Sequence, residues 1–249
     1  MYIASLKILL LVLSLLCSKA IHAKENVEFY IYIDKPPFII NKEKEIGLSY
    51  DFFNALNEYS DKFNYVLKYV PKLRAITFSK SQSGVLWTTP FWVGDENLVK
   101  FDWISNLMSD RELYITNDSE LTYEGIESLY GKELVGVRGF TYFNLEAAFN
   151  DKKITRVDVH NETIIPLMLL NNRADVGVIG LHAYNYLKNT MPEVKNKLYI
   201  LEGYQKEFFR SILIDKSKPE LKVDIENWFK SEEGKAKWLE IKAKWLVNF

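Results

Sequence analysis

The chain has 249 residues, 48% of them hydrophobic, and a formal net charge of −1. That length can build a full core without staples, and near-neutral charge gives no reason to expect nucleic acid as a partner. The single cysteine leaves no disulfide framework and no cysteine metal site.

Met1 to Ala23 reads as a secretory signal peptide: Lys7 is the positive flank, Ile8 to Leu16 the apolar run, and small residues follow. Cleavage near Ala20 places Ser18 and Ala20 at −3 and −1; cleavage near Ala23 places Ile21 at −3. The apolar run is short of the roughly 20 residues of a membrane span, and a retained anchor is the alternative. Cys17 raises a lipoprotein reading, which Leu16 before it fits poorly. Removing the segment takes Lys7, Lys19 and the cysteine, leaving 30 basic against 33 acidic residues, a charge of −3. No thiol nucleophile remains.

Tyr30 to Ile33 is rich in β-formers and predicts a strand. Pro36 and Pro37 lack backbone donors and stop it. Phe38 to Ile40 resumes an extended run, Asn41 to Glu45 turns the chain, Gly47 closes the turn, and Ser49 is a candidate N-cap. Asp51 falls in the first helical turn, where its charge suits the helix dipole. Leu48, Phe52, Ala55, Leu56 and Tyr59 form one apolar face at the helical period.

Asn64 to Val70 alternates as a strand, Pro71 to Phe78 reads as a helix carrying Arg74, and Val85 to Trp87 as a short strand stopped by Thr88, Thr89 and Pro90. Trp103 to Leu107 and Leu113 to Thr116 are two extended pieces. A helix is expected over Tyr123 to Tyr130, capped by Gly131, then a strand and a Gly turn over Lys132 to Gly139. Thr141 is expected to cap a helix from Tyr142 to Phe149. Next come a strand at Ile154 to Val159, a helix at Thr163 to Asn171, a strand following Asp175, and a helix at Ala183 to Leu187. Strands at Leu198 to Leu201 and Phe208 to Ile214 precede a helical tail, Pro219 to Leu246, broken at Gly234. The alternation predicts an α/β fold with mainly parallel sheets.

Three segments carry a resemblance: Gly47-Leu48-Ser49-Tyr50-Asp51 after the Pro-Phe loop, the strand-to-Gly turn ending at Arg138-Gly139, and Arg173-Ala174-Asp175 feeding Val176 to Gly180. Together they resemble the family 3 extracellular solute-binding proteins, the amino-acid-type periplasmic binding proteins of bacterial uptake systems. The resemblance covers nearly the whole chain after residue 23. It implies a type II periplasmic-binding fold: two lobes, each a mainly parallel sheet flanked by helices, joined by two hinge crossings near Ser109–Thr116 and Ile200–Lys206. The expected division is 1–23 signal peptide, 24–110 first part of lobe 1, 111–202 lobe 2, and 203–249 the return to lobe 1.

The turn Arg138-Gly139-Phe140-Thr141-Tyr142 is the best candidate anion site. A helix N-terminus offers free N–H groups, Gly139 a close backbone approach, Thr141 a hydroxyl and Arg138 a fixed cation. The alternative is a capped helix with Arg138 in solvent. The facing wall would come from Trp87, Thr88 and Thr89, with Trp92 beyond. In the family a Thr-Pro-x-Arg segment lies here and its Arg clamps a carboxylate, but this chain has Trp92 in that place. An Asp that holds an α-ammonium is likewise missing, with Gly180 near its expected position. Arg138 or Arg74 are candidate substitutes for the clamp.

Tyr32, Phe38, Trp87, Trp92, Phe140 and Tyr142 could stack on a ring or cover a cation, against the alternative of core packing. His182 follows a buried strand and is set against a structural role; no His-x-x-x-His pattern supports zinc. Neither a Gly-x-Ser-x-Gly elbow nor a phosphate-binding loop occurs. Asn117-Asp118-Ser119 and Asn161-Glu162-Thr163 match glycosylation acceptors, a pattern common by chance.

The expectation is therefore a periplasmic, monomeric binding protein without cofactor or metal. It captures a small polar ligand, an amino acid or related compound, for an ABC-type permease or a membrane sensor. A sensory module without a transport role is one alternative. A dehydratase-like enzyme on the same fold is another, with His182 or Glu162 as its acid or base.

Overall fold

The computed structural model describes residues 23–79 and 83–246; the expected signal segment lies almost wholly outside them. Among the described residues there are eight strands: β1 Glu25–Ile31, β2 Phe63–Tyr69, β3 Gly84–Thr88, β4 Asp102–Thr116, β5 Glu133–Val137, β6 Thr155–Val159, β7 Val176–Gly180 and β8 Tyr199–Ile214. The helices are α1 Leu48–Tyr59, α2 Lys72–Ser79, α3 Pro90–Val93, α4 Glu146–Asn150, α5 Ile165–Leu170, α6 Leu181–Thr190, α7 Pro192–Lys197, α8 Pro219–Lys230 and α9 Glu232–Trp245.

The strand order is β2-β1-β3-β8-β4-β7-β5-β6. β1 lies parallel to β2 and β3, and β5 lies parallel to β6 and β7, so each lobe has a parallel three-stranded centre. β4 and β8 run antiparallel through both lobes, paired from Asp102↔Ile214 to Thr116↔Tyr199 with register shifts between Ile104 and Met108 and between Leu113 and Ile115. The sequence pattern divides each of these strands into two extended pieces. The structure instead joins them into strands of 15 and 16 residues. Polar positions in the middle of both strands mask their continuity; of these, Glu112 and Arg210 line the cleft.

Lobe 1 packs around an aromatic cluster. Phe52 lies 5.2 to 5.8 Å from the rings of Trp87, Trp228 and Trp238, and Trp87 stacks on Trp238 with an 11° interplanar angle. Asp51 ties the C-terminal helix to this lobe, accepting from Lys244 Nζ and Trp245 Nε1 at 2.7 Å each. In lobe 2 the sheet is covered on both faces. Leu113, Ile115, Val135 and Ile179 point to one core, while Tyr114, Leu134, Val176 and Val178 point to the other. This is the period-2 alternation of a strand buried on two sides.

Several local expectations are corrected. β1 ends at Ile31, and Tyr32 and Ile33 are buried beyond it in the loop toward the cleft. Phe38 to Ile40 is not extended: the Ile39 N–H returns to the Lys35 carbonyl in a turn. Gly47, not Ser49, is the N-cap of α1, because the Ser49 hydroxyl is taken by Trp87 Nε1 at 2.8 Å. The Tyr123–Tyr130 helix shrinks to a 3₁₀ turn at Ile126–Leu129. The Tyr142–Phe149 helix starts only at Glu146 and has five residues. The tail breaks at Ser231, whose hydroxyl caps α9 by accepting from the Gly234 N–H, so Gly234 lies inside a helix. The short helices α3 and α7 begin at Pro90 and Pro192, where a fixed φ favours the first helical position.

Candidate functional site

The cleft between the lobes has two connected recesses sharing Tyr32, Ile33, Lys35, Lys72, Phe140 and Glu162. The outer one holds about 720 Å³ and reaches Arg138, Gly139, Asp158 and His160. The inner one, bounded by Trp92, Glu112, Gly180, Phe208 and Arg210, holds only about 30 Å³, room for roughly two waters.

Ion pairs within the protein fill the inner recess. Lys35, on the lobe 1 loop after β1, reaches Glu162 of lobe 2 at 2.6 Å, with both side chains under 8% exposed. The other Glu162 oxygen accepts from the Gly180 N–H at 3.1 Å. On the strands that join the lobes, Arg210 meets Asp110 through Nη2 and Nε at 2.6 and 2.8 Å, and its Nη1 donates to the Trp87 carbonyl at 2.9 Å. The guanidinium lies 4.6 Å from the centre of the Phe38 ring and 5.2 Å from that of Phe208. Burial alone would raise the Asp110 carboxyl; the charge of Arg210, with His182 and Lys35 beside it, overrides this and holds it below its usual range.

Glu112 is different. Burial pushes its carboxyl up to about 8, against the hydrogen bond it accepts from the Tyr204 hydroxyl at 2.8 Å. At neutral pH it is therefore mostly protonated and uncharged. Burial also lowers the Lys72 ammonium, opposed by the charge of Glu146.

The expected site residues divide into three groups. Tyr32, Trp92, Phe140, Thr141 and Tyr142 line the inner recess, and Arg138 and Gly139 the outer one. Tyr32 and Phe140 meet edge-on across the cleft at 5.9 Å. Tyr142 turns its hydroxyl inward to accept from the Val137 N–H at 2.6 Å. Phe38, Trp87, Thr88, Thr89 and His182 line neither recess. Phe38 and Trp87 are core residues, and Thr88 bonds the Tyr32 hydroxyl at 2.9 Å. Thr89 precedes α3, where its carbonyl accepts from the Trp92 N–H at 3.1 Å. His182 Nε2 bonds the Ser109 carbonyl at 2.8 Å and steadies the crossing strand. Arg74 is exposed.

The turn at Arg138–Thr141 does not open a helix, so the dipole argument for an anion there fails. The turn is stiffened instead by Arg156 of β6, which donates from Nη2 to the Val137 and Phe140 carbonyls at 3.0 Å each. Asn161 caps a short 3₁₀ turn, and Asn117 donates to Leu169 and Asn172.

Lys35, Lys72, Asp110, Glu112 and Arg210 were not legible as site residues. A weak signal existed only for Arg210, which interrupts the mostly apolar run Phe208 to Ile214; Asp110 and Glu112 belong to the polar run Ser109 to Glu112. A Cβ at Gly180 would lie 2.8 Å from Lys35 Nζ, 3.5 Å from Asp110 Oδ2 and 3.8 Å from Arg210 Nη2. The two positions that depart from the family pattern, Trp92 and Gly180, thus border space already taken by Arg210 and Lys35. Among the described residues no group of three or more His, Cys, Asp or Glu could hold a metal.

No protein-family pattern matches the chain, and no curated protein matches it. Solved structures do match. A mutant of ArgBP from T. maritima has a TM-score of 0.72 at 16% identity, over 90% of this chain and 96% of that one. A Salmonella typhimurium periplasmic binding protein with high arginine specificity has a TM-score of 0.68 at 14% identity, over 90% of this chain and 100% of that one. The substrate binding protein of an amino acid ABC transporter has 0.67 at 17%, over 88% and 98%. The chain has the two-lobed fold of periplasmic binding proteins. That fold explains why two long strands carry the chain between lobes whose centres are otherwise separate parallel sheets.

Proposed function

We propose that this chain is a periplasmic solute-binding protein that captures a small polar ligand, an amino acid or related compound, between its lobes. The observation that carries the reading is the convergence of polar side chains from both lobes on one cleft, with Lys35 of lobe 1 meeting Glu162 of lobe 2. A ligand that touches both walls favours the closed state by its extra contacts there. The lobes are divided at 24–110, 111–202 and 203–249, with the N-terminal signal segment removed on export near Ala20 or Ala23. β4 and β8 act as the hinge, and closure is read by an ABC permease or a membrane sensor. The names of the similar structures support an amino-acid-type ligand.

The test is a thermal-shift screen of the purified protein against amino acids, amines and organic acids. A ligand at 100 times its dissociation constant stabilises by about 2.7 kcal/mol, roughly 5 to 10 °C for a chain this size. The shift should disappear when Tyr32 and Phe140 are both replaced by alanine. A folded protein that responds to no compound in any class refutes the reading.

A further inference from the structure

The charges around the cleft are unequally satisfied. Among the described residues, each carboxylate on or beside its walls already has a partner or a proton. Asp110 is held by Arg210, Glu162 by Lys35, Asp34 by Lys42 at 2.7 Å and Asp158 by Arg156 at 2.8 Å. Glu112 keeps its proton at neutral pH and accepts from Tyr204. The cations are not all matched. Lys72 lines both recesses, partly buried, and among the described residues it forms no ion pair and no side-chain hydrogen bond; its Nζ lies 5.9 Å from the centre of the Phe140 ring. Arg138, on the outer recess, forms no ion pair and no side-chain hydrogen bond among the described residues. A cationic ligand would meet Lys35, Lys72, Arg138 and Arg210 with no free carboxylate to receive it. An α-ammonium fares no better, since Lys35 Nζ already occupies the space beside Gly180 and takes the oxygen of Glu162.

We propose that the cleft selects a small organic carboxylate that bears no amino group, with Lys72 as its main countercharge and Arg138 beside it. This rests on the binding reading above and, within it, takes the related compound in place of an amino acid. The carboxylate sits where the two recesses join, next to Lys72, and an apolar body has Tyr32 and Phe140 to pack against. Burial supports the assignment, because a partly desolvated ammonium without a partner gains more from an arriving anion than one in water. A protonated Glu112 adds a neutral O–H donor instead of a repelling charge.

The experiment is isothermal titration calorimetry of the full protein with compounds that differ mainly in charge. The carboxylates are pyruvate, benzoate and phenylacetate; the zwitterion is phenylalanine; the cations are phenethylamine and arginine. We expect at least one carboxylate to bind, and the zwitterion and cations to bind at least tenfold more weakly. Lys72→Glu should weaken that carboxylate at least tenfold, and Lys72→Arg should retain it within about threefold. Lys72 lies at the cleft edge of α2, so the melting temperature without ligand should stay within about 2 °C; circular dichroism checks this. Tighter binding of arginine or phenethylamine overturns the inference and leaves the binding reading standing. Carboxylate binding unchanged in Lys72→Glu overturns the assignment of Lys72. If none of the six compounds binds, the inference falls, and the broader thermal screen decides the reading beneath it.

Discussion

Replacing Lys35 by methionine should change the shape of the protein more than its stability. Met keeps most of the unbranched stem, so packing near Phe38 survives while the charge that holds Glu162 is lost. Breaking a buried ion pair from one side costs about 3 to 5 kcal/mol if the remaining charge stays buried. Among the described residues Glu162 would keep only the Gly180 N–H. Because Lys35 and Glu162 sit on opposite lobes, the protein has a cheaper response: the lobes separate and water reaches the carboxylate. The Arg210–Asp110 pair offers no such escape. Both residues lie on the paired strands β4 and β8, with Asp110 opposite Phe208 and Met108 opposite Arg210. Asp110→Asn should therefore lower global stability by about 3 to 5 kcal/mol, roughly 6 to 20 °C in melting temperature. Small-angle X-ray scattering and thermal unfolding of both variants separate the two responses. Lys35→Met should raise the radius of gyration with a smaller fall in melting temperature than Asp110→Asn. Equal falls, with no change in dimensions for Lys35→Met, would falsify the view that this pair ties the lobes.

Two further variants probe other links. Burial raises the Glu112 carboxyl from 4.5 to about 8, so the folded protein retains a proton that the unfolded chain has lost. Stability from this group is present below about pH 4.5 and is lost as pH rises toward 8, a change of a few kcal/mol in order of magnitude. Glu112→Gln should flatten that part of the slope in urea unfolding between pH 5 and 8; an unchanged slope contradicts the assignment. Gly47 has φ +145°, and a Cβ there would lie 2.6 Å from the Phe38 carbonyl oxygen. Gly47→Ala should cost about 1 to 3 kcal/mol through strain and displacement of the loop that leads into α1. A urea midpoint equal to that of the unaltered protein would show that the loop yields freely.

The order of strands and helices was legible wherever one periodicity dominated. Val176-Gly177-Val178-Ile179-Gly180 is apolar throughout because both faces of β7 are covered. α1 shows its buried face in Leu48, Phe52, Ala55 and Leu56. Helix starts were less legible. Ser49 and Thr141 have good capping chemistry, but tertiary contacts gave the Ser49 hydroxyl to Trp87, and α4 begins beyond Thr141 at Glu146.

The sequence by itself determined an alternating α/β chain and, through its resemblance, two lobes with a cleft lined by Tyr32, Trp92 and the Arg138–Tyr142 turn. The tertiary structure alone decided which charges meet. Lys35 and Glu162 are 127 residues apart and Asp110 and Arg210 are 100 apart; no local period relates them. Their pairing follows from the packing of Lys35 against Glu162 across the cleft and from the register of β4 against β8. Burial then makes that pairing matter, because a charge removed from water is tolerable only beside its opposite. Local patterning reports which face of an element is apolar. The cations left unmatched in the cleft emerge only when every carboxylate has been placed in space.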